Sequence, residues 1–392
     1  MFGVGSRYED DRRGGVSHFL EHLLFKGTER RPSAEAIAEA IEGVGGVMNA
    51  STDKELTLYW ARVPAERLAL AVDVLFDMVI GSKLQGDEVE RERSVILEEL
   101  KMYQDQPQDY VHNLFEQVMW PRHALGRDIG GTLESVSQIT REDLVSHLRD
   151  NYGRERMVVG VSGGIDPDRA QAEVEAAMAK LPGVDPGQAE PAPTAVTAAS
   201  VLVHEKKTEQ AHICLGVPAL SYMDEDRHAL DLVNAILGEG MSSRLFLEIR
   251  ERRGLAYDVH SYTAKHHDTG YLGVYVGVDP KKAEEAVAAV ISELRRLAAG
   301  GVAETELNKV KEYTKGRLRL GLESTNAVAH WLCQQELLMG FIRTQDQVVA
   351  AIDAVTGEEI ARVAAAVLGG AVQLTVIGPF KSAAGFRRAI EG

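Results

Sequence analysis

Along the first half of the chain the apolar positions switch between two repeats. Leu56-Thr-Leu-Tyr-Trp-Ala-Arg-Val63 reads as a strand. Pro64 suits the first turn of a helix, and Leu68, Val72, Leu75, Phe76 and Val79 then recur three and four residues apart, which predicts an amphipathic helix. A second, acidic helix is predicted from about Asp87 to Met102. The second half repeats this order. Gly270 to Val278 reads as a strand, Pro280 opens a helix carrying Ala283, Ala286, Val287, Val290 and Leu294, and another helix is predicted from about Glu304 to Leu320. The two prolines lie 216 positions apart and the flanking elements keep step. This periodicity predicts an α+β fold made of two duplicated domains, each a mixed β-sheet covered by helices; two such layers joined by a linker can face each other across a cavity, the arrangement expected here. Residues 181–200 concentrate proline, glycine and small residues without hydrophobic periodicity, as a linker does. The expected division is therefore 1–180, a linker 181–200, and 201–392.

Composition narrows the class. The formal net charge of -16 argues against nucleic acid as a partner, because phosphate binding rests on Lys and Arg displacing counterions. No stretch reaches the roughly 18 apolar residues of a membrane span; Ala286 to Leu297 is broken by Glu293, Arg295 and Arg296. The N-terminus lacks the basic start and apolar core of a secretory signal, so a cytoplasmic protein is expected. Cys214 and Cys333 are far apart in apolar surroundings, which predicts two buried, unpaired thiols.

The chemistry concentrates in Gly15-Val-Ser-His18-Phe-Leu-Glu21-His22-Leu-Leu-Phe25. On a helix, His18 and His22 project from one face and can share one ion, with Glu21 beside them to take a proton from water. A lone histidine on an apolar helix face is more often structural than a ligand, and the three-residue motif by itself tips the balance towards a metal. Catalytic zinc takes three protein ligands and leaves a place for water, so a carboxylate from a second helix is what two histidines need. In the acidic helix Glu92 and Glu99 are seven apart and share a face, whereas Glu98 is rotated by about 100°. Val95 and Ile96 are expected on the Glu92/Glu99 side, turning it inward. Glu99 is thus the expected third ligand, with Glu92 orienting an imidazole.

These residues resemble the pitrilysin/insulinase family of zinc peptidases, whose signature is H-x-x-E-H followed 77 positions later by a glutamate ligand; Glu99 stands 77 after His22, and Glu92 falls on the family's acidic position seven before the ligand. The chain looks most similar to bacterial members akin to the catalytic subunit of mitochondrial processing peptidase. The resemblance extends through Asn49-Ala-Ser-Thr52, Leu125-Gly-Arg-Asp128 and Thr140-Arg-Glu-Asp-Leu144. It implies that Asn49 and Ala50 lie on an edge strand that pairs with an extended peptide, and that Phe25 lines a pocket after the scissile bond. It also implies that Arg250 and Tyr257, in Ser242 to Tyr257, reach the substrate, Arg250 holding a carbonyl and Tyr257 the oxyanion. The 216-residue offset sets Asn234, Leu237 and Gly238 opposite His18, Glu21 and His22, and alignment of the two acidic helices by their apolar pattern puts Arg317 near the position of Glu99, so the second half is expected to carry no metal. His204, His212, His266 and His267 are read as structural. Relatives usually have a further strand before the segment that starts here at Met1. The implied function is a Zn2+ metalloendopeptidase acting on extended or unfolded peptides or N-terminal extensions. A homodimer is expected, or a heterodimer with an inactive paralogue; the rival reading is a non-catalytic assembly or partner subunit.

Overall fold

The computed structural model describes residues 1–185, 187, 189–193 and 198–391. Positions 186, 188 and 194–197 of the expected linker lie outside the described residues. By contacts the chain divides into two units. Unit 1 comprises Met1–Met102, Arg127–Glu190 and Leu322–Ile342; unit 2 comprises Tyr103–Gly126, Pro191–Gly321 and Arg343–Gly392.

The elements of the first half are α1 (Val16–Leu24), α2 (Ala34–Glu42), β1 (Val47–Thr52), β2 (Thr57–Arg62), α3 (Leu68–Ile80), α4 (Gly86–Asp105), α5 (Pro107–Met119), α6 (Leu133–Gln138), α7 (Arg141–Asn151) and α8 (Pro167–Met178). The second half has β3 (Ser200–Glu205), β4 (Ala211–Ala219), α9 (Arg227–Gly238), β5 (Ala256–Lys265), β6 (Gly270–Val278), α10 (Ala283–Gly300), α11 (Glu304–Gly321), α12 (Thr325–Met339), α13 (Gln345–Ala354), α14 (Gly357–Leu368), β7 (Gln373–Gly378) and α15 (Ala384–Glu391). A shift of 216 positions carries α4 onto α11, α7 onto α14 and residues 157–162 onto β7. It also carries α5 onto α12, and these two change places: α5 belongs to unit 2 and α12 to unit 1.

Unit 2 carries a five-stranded mixed sheet ordered β3-β7-β4-β6-β5, with β3 and β7 parallel and the other pairs antiparallel. Strand alternation splits its side chains between two cores. Ile213, Leu215, Leu272, Val274, Val276 and Leu374 join the core shared with α9, α10 and α14, while Cys214, Tyr271, Tyr275 and Ile377 meet Val111, Leu114 and Phe115 of α5. Cys214 and Cys333 are both buried and unpaired. In unit 1, β1 and β2 form an antiparallel pair running from Val47 opposite Arg62 to Thr52 opposite Thr57, and Phe2 bridges Thr57 and Met157. No helix among the described residues is long and apolar enough to cross a membrane.

Two helices of unit 1 set up everything that follows. In α1 the buried apolar residues Val16, Phe19, Leu20, Leu23 and Leu24 keep the three- and four-residue spacing, each large side chain contributing about 1.5–3 kcal/mol by leaving water. That anchoring leaves His18, Glu21 and His22 on the opposite side. In α4 the buried residues are Val89, Glu92, Ile96 and Leu100. Val95, expected with Ile96 on the inward side, is instead 51% exposed. The inward face is centred between Glu92 and Ile96, which puts Val95 round the helix from it and leaves Glu99 at the margin, half-buried.

Candidate metal centre

The helix that carries the histidines begins abruptly. Gly15 precedes it in the left-handed region at φ 92°, where a Cβ would sit 2.4 Å from the Gly130 carbonyl oxygen, so only glycine fits. One turn later the imidazoles of His18 and His22 stand beside each other with their Nε2 atoms 3.2 Å apart. Glu99 on α4 brings its Oε2 to 3.8 Å from His18 Nε2 and 3.6 Å from His22 Nε2. Among the described residues these three form the one group of His, Cys, Asp or Glu side chains, three or more together, whose ligand atoms lie within 4.8 Å of one another. A tetrahedral ion with bonds of about 2.0–2.2 Å has edges of roughly 3.3–3.6 Å, so the donor set suits such an ion without rearrangement of the backbone.

The two imidazoles are held differently. His22 Nδ1 lies 2.8 Å from Glu92 Oε1, which leaves Nε2 facing the other two donor groups. Glu92 is only 5% exposed, and its second oxygen takes an ion pair from Lys26 at 2.6 Å. Burial opposes the ionised form of Glu92, yet His22 and Lys26 outweigh it and hold the carboxyl below its usual range. His22 shows the mirror image: burial disfavours its charge, but Glu92, Glu99 and Glu21 together raise its pKa. His18 Nδ1 is buried with no hydrogen-bond partner. Burial, reinforced by the neighbouring His22, pushes His18 down to about 4, so its imidazole is neutral at pH 7 with a lone pair available.

Glu21 sits on the same helix face. Its Oε2 accepts a 2.5 Å hydrogen bond from the Thr52 hydroxyl at the end of β1. Burial raises the Glu21 pKa, and the Thr52 hydrogen bond works against that rise. On β1, Asn49 pairs with Trp60 and Ala50 with Tyr59; Asn49 is exposed and Ala50 half-buried. Phe25 ends α1 and packs, half-buried, beside the unit 1 core with its ring 6.4 Å from that of Tyr59. Sequence reasoning assigned no role to Thr52 or Lys26. Thr52 is legible in retrospect, since Ala50 and Thr52 share one side of an alternating strand, and Lys26 follows His22 by one helical turn.

In unit 2, Arg250 lies in a π-helical turn, Phe246–Arg252, its guanidinium 4.6 Å from the centre of the Tyr257 ring and 4.8 Å from that of Phe246. Tyr257 falls at an irregularity of β5 where pairing with β6 shifts between Ala256 and Asp258, and it is 75% exposed. A bulge of this kind turns a side chain out of the sheet, and the stacked cation fixes its ring. Asn234 and Leu237 of α9 are buried, the Asn234 amide donating to Glu239.

Residues 1–133 match the family model described as insulinase, peptidase family M16, and residues 138–313 match the one described as peptidase M16 inactive domain. An uncharacterized zinc protease of Streptomyces coelicolor, SCO5738, is 42% identical over 96% of this chain and 83% of its own length. The chain belongs to peptidase family M16. A second relative, the uncharacterized zinc protease YmxG of Bacillus subtilis, is 37% identical over 91% of this chain and 87% of its own. A protease from Helicobacter pylori whose structure is solved shares the fold with a TM-score of 0.90 at 23% identity, covering 96% of this chain and 92% of that one. The division of this M16 chain between the two models places His18, Glu21, His22 and Glu99 in the first and Arg250 and Tyr257 in the second.

Proposed function

We propose that this protein is a zinc metalloendopeptidase that hydrolyses extended or unfolded peptides or N-terminal extensions. The observation that carries the reading is the convergence of His18 Nε2, His22 Nε2 and Glu99 Oε2, with Glu21 on the same helix face. Zinc held by His18, His22 and Glu99 would bring an acidified water and a Lewis acid for the peptide carbonyl. Glu21 takes the proton from the attacking water and returns it to the leaving amine, its carboxylate steadied by Thr52. Glu92 holds His22 in the tautomer that leaves Nε2 free for the metal. Tyr257 donates a hydrogen bond to the carbonyl oxygen as charge develops there, and Arg250 holds a neighbouring substrate carbonyl. Asn49 and Ala50 offer main-chain groups to an extended peptide, with Phe25 lining the pocket beyond the cut.

In this reading residues 1–180 supply the metal ligands and the general base, 181–200 form a linker and 201–392 supply Arg250 and Tyr257 to the substrate, with α5 and α12 exchanged between the two compact units. The buried, unpaired Cys214 and Cys333 suit a reducing compartment such as the cytoplasm. The functional form is a homodimer, with a heterodimer containing an inactive paralogue as the variant of that arrangement. The match of the second half to a model described as inactive gives substance to one rival, a non-catalytic partner subunit.

Metal analysis of the purified protein together with Glu21→Gln on a quenched fluorescent peptide separates the two. The peptidase reading expects about one zinc per chain in both proteins and a loss of roughly 100- to 10,000-fold in hydrolysis on Glu21→Gln. A wild type that holds no zinc and cleaves nothing points to the subunit reading; full activity in Glu21→Gln sinks the mechanism.

A further inference from the structure

His22 is tied by a side chain, through Glu92, whereas His18 Nδ1 has no hydrogen-bond partner. What fixes His18 must therefore be the placement of its own helical turn. That turn is not capped from within: Gly15, at the N-cap position, has no side chain, and its unpaired N–H groups need acceptors from elsewhere. Glu9 supplies them. Its Oε2 accepts from the Gly15 N–H at 2.7 Å and its Oε1 from the Ser17 N–H at 2.8 Å, so one buried carboxylate spans the first turn, at the positive end of the helix.

The same carboxylate is the end of a buried chain of polar groups. Asn151 Nδ2 lies 3.2 Å from His147 Nδ1, and His147 Nε2 lies 3.1 Å from the Ser17 hydroxyl. With Nδ1 accepting from Asn151, His147 carries its proton on Nε2 and donates to the Ser17 hydroxyl, and the backbone N–H of the same Ser17 donates to Glu9. The chain links the α7 helix to the residue directly before His18. The opposite side of the turn is closed by backbone: Gly15 is pressed against Gly130, and a Cβ on Gly130 would meet Leu100 at 2.8 Å and His18 Nδ1 at 3.7 Å. Arg127 completes the frame by donating to the Glu9 carbonyl and, at 2.6 Å, to Asp11.

We propose that Glu9, through the paired N–H groups of Gly15 and Ser17 and the Ser17–His147–Asn151 chain, is a positioning residue that sets the direction of the His18 imidazole towards the shared ion. The inference rests on the zinc reading above and adds residues that touch neither metal nor substrate. Glu9→Gln is the incisive change, because it is isosteric and places an NH2 group against one of the two N–H donors.

The test uses the full chain, stripped of metal with a chelator and titrated with Zn2+ and, separately, with Co2+, whose visible spectrum reports ligand geometry. Glu9→Gln is expected to keep the wild-type far-UV circular dichroism, to bind zinc about 10-fold more weakly, and to give a cobalt spectrum altered in band position or intensity. Ser17→Ala, which keeps the backbone bonds and cuts the link to His147, is expected to change the cobalt spectrum in the same direction by less. A folded Glu9→Gln with wild-type zinc affinity and cobalt spectrum overturns the inference. If Glu9→Gln does not fold, Ser17→Ala decides, and an unchanged spectrum there overturns it. A wild type that takes up neither ion sinks the zinc reading itself, an outcome distinct from loss of the positioning role alone.

Discussion

The helix α1 and its counterpart α9 start from one plan and end with opposite uses of space. In α1 only one side is buried, and the free side carries His18, Glu21 and His22 next to Glu99 of α4. In α9 every residue from Leu232 to Gly238 is buried, and a Cβ on Gly238, the residue opposite His22, would lie 2.4 Å from the Ser261 backbone nitrogen of β5. A position that cannot hold a methyl group cannot hold an imidazole. The polar groups that remain nearby are paired for stability: Lys265 with Asp231, Asn234 with Glu239, and Arg317 placed to draw down the Glu239 carboxyl that burial pushes up. The contrast teaches that a donor set needs clearance as much as donors; in unit 2 the duplicated frame has been closed by packing.

The sharpest way to break this contrast is to force a side chain into the closed helix. Gly238→Ala is expected to destabilise the protein by about 3 kcal/mol, because the contact it creates is with backbone and no rotamer relieves it. A thermal melt measures this, and a stability unchanged within 0.5 kcal/mol, roughly the scatter of surface substitutions, would mean that α9 is not closed in this way. In the open helix, Glu92→Gln is expected to weaken zinc binding by about 10- to 100-fold, as it removes the charge facing both His22 and Lys26. Competition with a chromophoric chelator reads the change, and an affinity equal to wild type would show that His22 needs no tether.

A smaller effect comes from pH. Burial holds Glu9 up to about 7, against an ordinary 4.5, and His147 down to about 3, against 6.5. Between pH 4.5 and 6.5 the native chain keeps a proton on Glu9 that the unfolded chain releases, while the unfolded chain takes up a proton on His147 that the native chain refuses. The two cancel, so this pair leaves stability flat there. Glu9→Gln leaves His147 alone, and stability should then fall by about 1.4 kcal/mol for each unit of acidification in that window. Denaturant unfolding across the window checks it; equal slopes for the variant and the wild type would disprove the linkage.

Much of this was legible in the sequence. The strand, helix, helix order around Pro64 and Pro280 reappears as β2, α3, α4 and β6, α10, α11, because alternation and three-to-four spacing report burial directly. The meeting of His18 with His22 was readable from a four-residue spacing; the approach of Glu99 needed a face argument on α4, and that argument held for Ile96 and failed for Val95. One apolar residue too many was assigned to the inward side because a helix of low apolar content gives few points to locate its centre. Thr52 and Glu9 were not picked out. Thr52 reaches Glu21 from 31 positions away and Glu9 reaches the first turn of α1 from an irregular segment just before it, and periodicity carries no trace of such contacts.

The crossing over of α5 and α12 bears on how the chain is made. Neither half of the polypeptide contains all of its own unit: residues 1–190 lack α12, and α5 is synthesised well before the sheet it covers. A chain emerging from the ribosome therefore cannot complete unit 1 until residue 342 has been made, and until then the Cys333 side of that unit has no helix over it. Separating the halves at residues 181–200 would leave each product with a foreign helix and without its own, so maturation of the metal-bearing half is tied to translation of nearly the whole molecule.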